Sequence, residues 1–216
     1  MPRTTQAFID RSALAHNLSV VRKFAQHSRI MAVVKADAYG HGLLQTAQAL
    51  KSVDGFALLE LDAAVSLRDA GYQQPILLLE GFFSTQELAL FEQYHLSAVI
   101  HHHEQVAMLM ASKHPQLNLF LKINTGMNRL GLLPEKVSAI INQLRENHYP
   151  KNITLMTHFA SADDPSQHDS VIQQLQCFQQ AAHTHAQPCS LANSAAIIRY
   201  PQSHADWVRP GIMLYG

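Results

Sequence analysis

The chain has 216 residues, of which 47% are hydrophobic and 15% charged, and its 16 basic side chains balance 16 acidic ones. A chain of this length can bury one sizeable core. A net charge of zero gives no electrostatic argument for a nucleic acid or an anionic membrane as a partner. No apolar run is long enough to cross a bilayer. The spacing of Cys177 and Cys189 fits neither a disulfide framework nor a metal site. We therefore expect a cytoplasmic protein.

Short apolar runs alternate along the chain with longer segments of helical periodicity. Runs without polar alternation predict strands that are buried on both faces, as in a parallel sheet. Amphipathic stripes, as at Leu14, Leu18 and Val21, at 64–70 before Gly71, and at 137–144, predict packing helices. The predicted strands are 30–34, 55–59, 76–79, 97–100, 118–123, 153–156, 189–191, and 207–208 with 212–214.

This alternation indicates right-handed β–α–β units and therefore an α/β fold. About eight units predict a (β/α)₈ barrel of the TIM type over residues 1–216, with a doubly wound open sheet as the alternative. Residues 212–216 have the pattern of a buried strand with no helix after it. We therefore expect a domain that lacks its closing helix and is incomplete at its C-terminus, within a longer protein.

Lys35 is the first candidate for a chemical role, because it directly follows the first predicted strand and precedes a turn that contains Tyr39, Gly40 and Gly42. Burial at a strand end disfavours the charged form of a lysine. The neutral amine is the nucleophile that forms a Schiff base with an aldehyde cofactor. The alternative for Lys35 is an ordinary surface lysine that closes a strand.

Other polar residues also follow predicted strands, where the active sites of parallel barrels are built. Each of these residues also has a simpler interpretation. The arginine at 129 could be an ordinary loop residue, the histidine at 158 a hydrogen-bonded core residue, and the arginine at 209 part of a turn. The pair at 193–194 could be a helix N-cap, which is worth about 1 kcal/mol. A helix N-cap is also compatible with phosphate binding. These residues are Arg129 within 124–131, His158, Asn193 with Ser194, and Arg209 with Pro210 and Gly211.

The run His101-His102-His103-Glu104 suggests a metal site. Helical metal pairs need ligands one turn apart, whereas three adjacent histidines are expected to point in different directions. We therefore predict a solvated strand-to-helix turn here and no metal.

Four segments carry most of these residues in a fixed order: 34–42, 78–83, 121–131 and 208–216. In this order they resemble the alanine racemase family of barrel-type, fold-type III pyridoxal-phosphate enzymes, and the resemblance covers essentially the whole chain. It implies pyridoxal 5'-phosphate as the cofactor, carried by Lys35 as an internal aldimine. Lys35 would also be the base for the α-proton on the D-alanine side.

The resemblance also implies roles for the other candidates. Arg209 would face the pyridine nitrogen with support from His158, and Arg129 would neutralise the cofactor phenolate and bind the substrate carboxylate. Lys122 matches a position that is carbamylated in some members. The phosphate end would be held by Tyr39, Ser194 with its neighbour Asn193, and the backbone at Gly211 and Ile212.

The implied reaction interconverts L- and D-alanine and supplies D-alanine for cell-wall peptidoglycan, in a protein that is a homodimer at full length. Family members continue into a β-rich domain that supplies a catalytic tyrosine to the partner subunit, and Tyr215 does not match that tyrosine. We therefore expect these 216 residues to bind the cofactor weakly or not at all, and to racemise alanine far more slowly than about 10 s⁻¹.

Three alternatives remain at this point. A single-barrel pyridoxal-phosphate-binding protein for cofactor homeostasis fits the length better, but 125–129 and 191–194 are racemase-like. A barrel-type amino-acid decarboxylase shares the lysine chemistry but normally has a second domain. The third is a fragment of a racemase that folds without function.

Overall fold

The computed structural model describes residues 7–112, 117–149 and 153–216. Within these ranges, eight parallel strands form a closed barrel in chain order. Pairing of Arg29 with Trp207 and of Ile30 with Val208 joins the last strand to the first, which excludes the doubly wound open sheet. The strands are β1 (Arg29–Val33), β2 (Gly55–Leu58), β3 (Ile76–Leu78), β4 (Leu96–Ile100), β5 (Asn118–Lys122), β6 (Ile153–Met156), β7 (Cys189–Ser190) and β8 (Trp207–Val208).

Helices connect the strands and pack around the barrel. Three of them coincide with the amphipathic stripes of the sequence. No helix in the described ranges is long and apolar enough to cross a membrane. They are α1 (Arg11–Phe24), the single turn α2 (Lys35–Gly40), α3 (Leu43–Ala49), α4 (Leu61–Asp69), α5 (Glu87–Gln93), α6 (His103–Ala111), α7 (Val137–Glu146), α8 (His168–Ala182) and α9 (Ser194–Arg199). Short 3₁₀ turns lie at Pro134–Lys136, Pro165–Gln167, Pro201–Ser203 and Ile212–Leu214.

The strands lack polar alternation because both of their faces are buried. In β1, Met31 and Val33 point into the barrel, whereas Ile30 and Ala32 pack in the layer between the strands and the helices. The barrel interior is completed by side chains of the other strands: Ala57, Leu77, Val99, Phe120, Met156 and Trp207.

The prediction of a strand at 212–214 is wrong. Residues Ile212–Leu214 form a 3₁₀ turn, and Ile212 is 56% exposed. The backbone N–H groups of Gly211 and Met213 donate to the Ser194 hydroxyl instead of to a neighbouring strand. Strand β8 therefore ends at Val208, and the chain turns across the mouth of the barrel.

The expected lack of a closing helix after β8 does not leave the seam beside this strand uncovered. Helix α1 packs against the 3₁₀ turn that follows β8, and against α3 and α9, which follow β1 and β7. The side chain of Asn17 on α1 donates a hydrogen bond of 3.0 Å to the carbonyl of Leu214. The seam between β8 and β1 is thus covered by a helix from the beginning of the chain.

Arg68 on α4 joins two connections on the outside of the barrel, the one between α4 and β3 and the one between α5 and β4. Its half-buried guanidinium donates to the carbonyls of Tyr72, Gln74, Tyr94 and His95 at 2.7–2.9 Å. Burial lowers the pKa of this arginine. The planar fork reaches four acceptors that no lysine ammonium can reach together.

Arg68→Lys should therefore lower the free energy of unfolding by about 2 kcal/mol, because partly buried carbonyls lose charge-assisted donors. Urea unfolding measures this difference. The matched control is Arg22→Lys on α1, whose exposed guanidinium donates only to the Ser52 carbonyl among the described residues. Equal stability of the two variants would contradict this role of Arg68.

Candidate active site

A cavity of about 550 Å³ opens at the carboxyl ends of the strands, within the size range of small-molecule sites. Residues that follow seven of the eight strands contribute to its wall. All of the site residues predicted from the sequence line it: Lys35, Tyr39, Lys122, Arg129, His158, Asn193, Ser194, Arg209, Gly211 and Ile212.

Lys35 is half-buried and begins the turn α2, which is left-handed. Four consecutive non-glycine residues, 36–39, have φ between 50° and 56°. This conformation costs about 1–2 kcal/mol for each L-residue. Hydrogen bonds compensate: the Asp37 carboxylate accepts from the N–H of Leu43 at 2.7 Å, and the Asp37 carbonyl accepts from the N–H of Gly42 at 2.9 Å. The turn brings Lys35 and Tyr39 to the same cavity wall, with the lysine Nζ 6.0 Å from the tyrosine ring centre.

Tyr39 packs against the segment that follows β8, where it contacts Gly211 and Tyr215. Its ring packs on Tyr215, with ring centres 4.7 Å apart, and the Tyr215 hydroxyl donates to the carbonyl of Val33 at 2.9 Å. The Tyr39 hydroxyl lies so close to Gly211 that a side chain at position 211 would overlap it. Burial raises the pKa of both tyrosines, so their hydroxyl groups remain hydrogen-bond donors even at alkaline pH.

Asn193 and Ser194 connect α9 to the end of β8. The Asn193 side chain caps α9 by accepting from the N–H of Ala196, and donates to the carbonyl of Phe159 at 3.2 Å. Ser194 accepts from the backbone of Gly211 at 2.9 Å. The same two residues thus cap the helix and line the cavity. The interpretation as a helix N-cap and the interpretation as part of a phosphate site are therefore compatible.

Arg209 is the most buried cation of the site, with 4% of its surface exposed. Its guanidinium donates to the Ser190 hydroxyl and to the carbonyls of Thr157 and Leu191. Burial lowers its pKa to about 10, so it remains charged at neutral pH. Its hydrogen-bond partners are neutral oxygens, and its charge is therefore available to an anion or a dipole in the cavity.

His158 lies in the cavity wall and stays neutral. Burial, followed by the positive charge of Arg209, lowers the pKa of its imidazole to about 3. A neutral imidazole in this position can accept a hydrogen bond without adding to the positive charge of the cavity.

Lys122 closes β5 and is 7% exposed. Burial, followed by the charges of Arg209 and Arg129, lowers its pKa to about 8. Arg129 itself is exposed at the rim, on a loop that Asn124 shapes by accepting from the N–H groups of Gly126 and Asn128. Lys122 is therefore close to losing its proton at mildly alkaline pH.

Sequence reasoning missed the acidic members of the wall, Glu80 and Asp163. Glu80 could have been found, because it follows β3 just as Lys35 follows β1. Its carbonyl accepts from Gln105 at 2.9 Å and contacts His101 Nε2 at 3.1 Å. With Lys35, Lys122, Arg129 and Arg209 facing these two carboxylates, the cavity is predominantly basic and suits an anionic ligand.

The histidine run forms a strand-to-helix turn as predicted, and His101 diverges from the other two side chains by contacting the Glu80 carbonyl. His102 caps α6, which His103 begins, and the rings of these two residues lie side by side. Their ring centres are 4.0 Å apart, and ligand atoms of His102, His103 and Glu104 lie within 4.8 Å of one another. All three side chains are exposed, and the absence of a metal remains a prediction.

Comparisons with known proteins place this architecture in one family. The sequence profile described as "Alanine racemase, N-terminal domain" matches residues 9–216. The chain belongs to this family. A relative named alanine racemase from Nitrosospira multiformis is 60% identical over 217 residues, which are 100% of this chain and 61% of that protein. A relative named catabolic alanine racemase, from Klebsiella aerogenes, is 46% identical and is covered to 60%.

Solved structures of alanine racemases have the same barrel. The biosynthetic alanine racemase from Pseudomonas aeruginosa matches with a TM-score of 0.92 and 40% identity, over 96% of this chain and 58% of that one. The alanine racemase from Acinetobacter baumannii matches with a TM-score of 0.84 and 37% identity, over 96% and 62%. The chain thus spans about three-fifths of the length of the relatives it matches.

Proposed function

We propose that the cavity binds pyridoxal 5'-phosphate covalently through Lys35, and that the protein to which this domain belongs interconverts L- and D-alanine. One observation carries this proposal: half-buried Lys35 faces the same basic cavity as Arg209, whose charge has no carboxylate hydrogen-bond partner among the described residues. The names of the relatives support the same reaction.

The residues present fit this cofactor. Its phosphate is an anion that suits the Tyr39 hydroxyl, the Ser194 hydroxyl and the adjacent backbone of Gly211 and Ile212, which meet at one end of the cavity. The need for glycine at position 211 is consistent with this close approach, since a side chain there would displace the Tyr39 hydroxyl. The cofactor supplies an aldehyde that condenses with an amine and a ring that withdraws electrons from the α-carbon.

Arg209 would face the ring nitrogen. Because its pKa of about 10 keeps the guanidinium protonated, Arg209 would donate a hydrogen bond there and transfer no proton. In this way Arg209 would limit the withdrawal of electrons from the α-carbon and the lifetime of negative charge at that atom, and so suppress side reactions. The charge of Arg209 helps to lower the pKa of His158. The neutral imidazole would support the position of Arg209 without adding a second positive charge.

Lys35 would accept and return the α-proton on the D-alanine side, and Arg129 at the rim would bind the substrate carboxylate. We also propose Lys122 as a carbamylation site. Its lowered pKa of about 8 gives a neutral amine that can react with carbon dioxide, and the resulting anion would face Arg129 and Arg209. The family supports a homodimer for the longer protein.

Deuterium exchange at the α-carbon tests this function directly. The chain is incubated in D₂O with saturating pyridoxal phosphate and either D- or L-alanine, and proton NMR follows the α-position. We expect faster exchange from D-alanine than from L-alanine, because Lys35 handles the proton on that side. Equal exchange rates from the two enantiomers would contradict the assignment of Lys35. In a sample that shows the borohydride-bleachable band, no exchange from either enantiomer would contradict the proposed chemistry.

A further inference from the structure

Gln174 is a glutamine that the proposed chemistry does not use, although it is 3% exposed in the middle of α8. Its carbonyl oxygen accepts from the N–H of Ala160 at 3.1 Å. Its amide nitrogen donates to the Thr125 hydroxyl at 3.3 Å and to the His158 carbonyl at 3.4 Å. The side chain thus contacts the loops that follow both β5 and β6.

The hydrogen bonds of the Thr125 and Thr157 hydroxyl groups each have a defined donor and acceptor. The Thr157 hydroxyl donates its one proton to the carbonyl of Ile123 at 3.0 Å. In the 2.7 Å bond between the two threonine hydroxyls, Thr125 must therefore be the donor and Thr157 the acceptor. Thr125 in turn accepts from Gln174. A single oriented chain of hydrogen bonds runs from α8 through both strand ends to the backbone after β5.

The two threonines of this hydrogen-bond chain lie beside residues of the candidate site. The backbone carbonyl of Thr157 accepts from the Arg209 guanidinium, and the next residue along the chain is His158. Thr125 lies in the loop that carries Arg129. A shift of the two loops relative to each other would therefore move Arg209, His158 and Arg129 together.

We propose that Gln174 is a positioning residue for the cofactor site, which fixes the loops after β5 and β6 against each other. This inference rests on the proposed function. The position requires one acceptor and two donors on a single side chain, and glutamine supplies all three. Its stem also packs against Gly126, where an added Cβ would lie 3.4 Å from the glutamine Cγ.

Gln174→Met tests the inference, because methionine fills similar space without the hydrogen bonds. Titration with pyridoxal phosphate, followed by the visible band that borohydride bleaches, gives the dissociation constant. We expect binding about tenfold weaker than in the parent chain, as for the loss of a buried hydrogen-bond network. The control is Gln176→Met, an exposed glutamine on the same helix, for which we expect no change.

Gln174→Glu adds a readout that general damage to the fold would not produce. The buried carboxyl should keep its proton at low pH and then donate one of the two hydrogen bonds that the amide donates, whereas the carboxylate at high pH has no donor. The dissociation constant relative to the parent at the same pH should therefore rise with increasing pH. For Gln174→Met this ratio should stay constant.

Binding by Gln174→Met as tight as by Gln176→Met would overturn the inference. If Gln174→Met does not fold, as judged by circular dichroism, Gln174→Glu decides, and a pH-independent ratio overturns the inference. If the parent chain shows no reducible band, the titrations are made in the longer protein that contains this domain, and absence of the band there would overturn the proposed function and the inference with it.

Discussion

Replacing Lys35 with alanine should abolish the borohydride-bleachable band that pyridoxal phosphate produces with this chain. The proposed bond to the cofactor needs a primary amine at the end of β1, and alanine has none. Absorption spectra before and after addition of borohydride measure the effect, and the expected loss is complete. Exchange of the α-proton of D-alanine should be lost with the band.

Two lysine variants serve as controls for this experiment. Lys23→Ala removes an exposed amine on α1 and should leave the band unchanged. Lys122→Met removes the other lysine of the cavity, and the band should persist, although cofactor affinity can change. A band that survives in Lys35→Ala but disappears in Lys122→Met would move the covalent role to Lys122.

Replacing Arg209 with methionine should affect both binding and folding. Without the guanidinium, the Thr157 and Leu191 carbonyls and the Ser190 hydroxyl lose their buried donor. We expect the free energy of unfolding to fall by about 2–3 kcal/mol and cofactor binding to weaken about 100-fold. Urea unfolding and cofactor titration measure the two effects.

Arg199→Met is the matched control, because this exposed arginine donates to the carbonyl of Ala162 and does not line the cavity. The His158 imidazole gives an independent check by NMR titration. Since the charge of Arg209 helps to lower its pKa, that pKa should rise in Arg209→Met and stay unchanged in Arg199→Met. A cofactor affinity equal to that of the control would contradict the role of Arg209.

Much of the barrel could be predicted because its strands are buried on both faces. A run such as 30–34 has no polar alternation, and in the structure its side chains point alternately into the barrel and toward the helices. The site could be anticipated for a related reason. Parallel strands bring their carboxyl ends to one face, so residues distant in sequence, such as Lys35 and Arg209, meet at one cavity.

Other features left no recognisable pattern in the sequence. The left-handed turn α2 consists mainly of non-glycine residues, which rarely adopt positive φ, so nothing local predicts it. The 3₁₀ turn at 212–214 was misread because its apolar residues resemble a strand, while its backbone is held by Ser194, 17 residues away from Gly211. Gln174 lies in a glutamine-rich helix, where only tertiary contacts distinguish it from exposed Gln173 and Gln176.

The central claim is that Lys35 forms the covalent bond to the cofactor. The most direct test is to load the chain with pyridoxal phosphate, reduce it with borohydride, digest it, and locate the phosphopyridoxyl group by mass spectrometry. Our account predicts the group on the peptide that contains Lys35 and on no other lysine at comparable occupancy. A group found mainly on Lys122, or spread over exposed lysines such as Lys23 and Lys51, would contradict it.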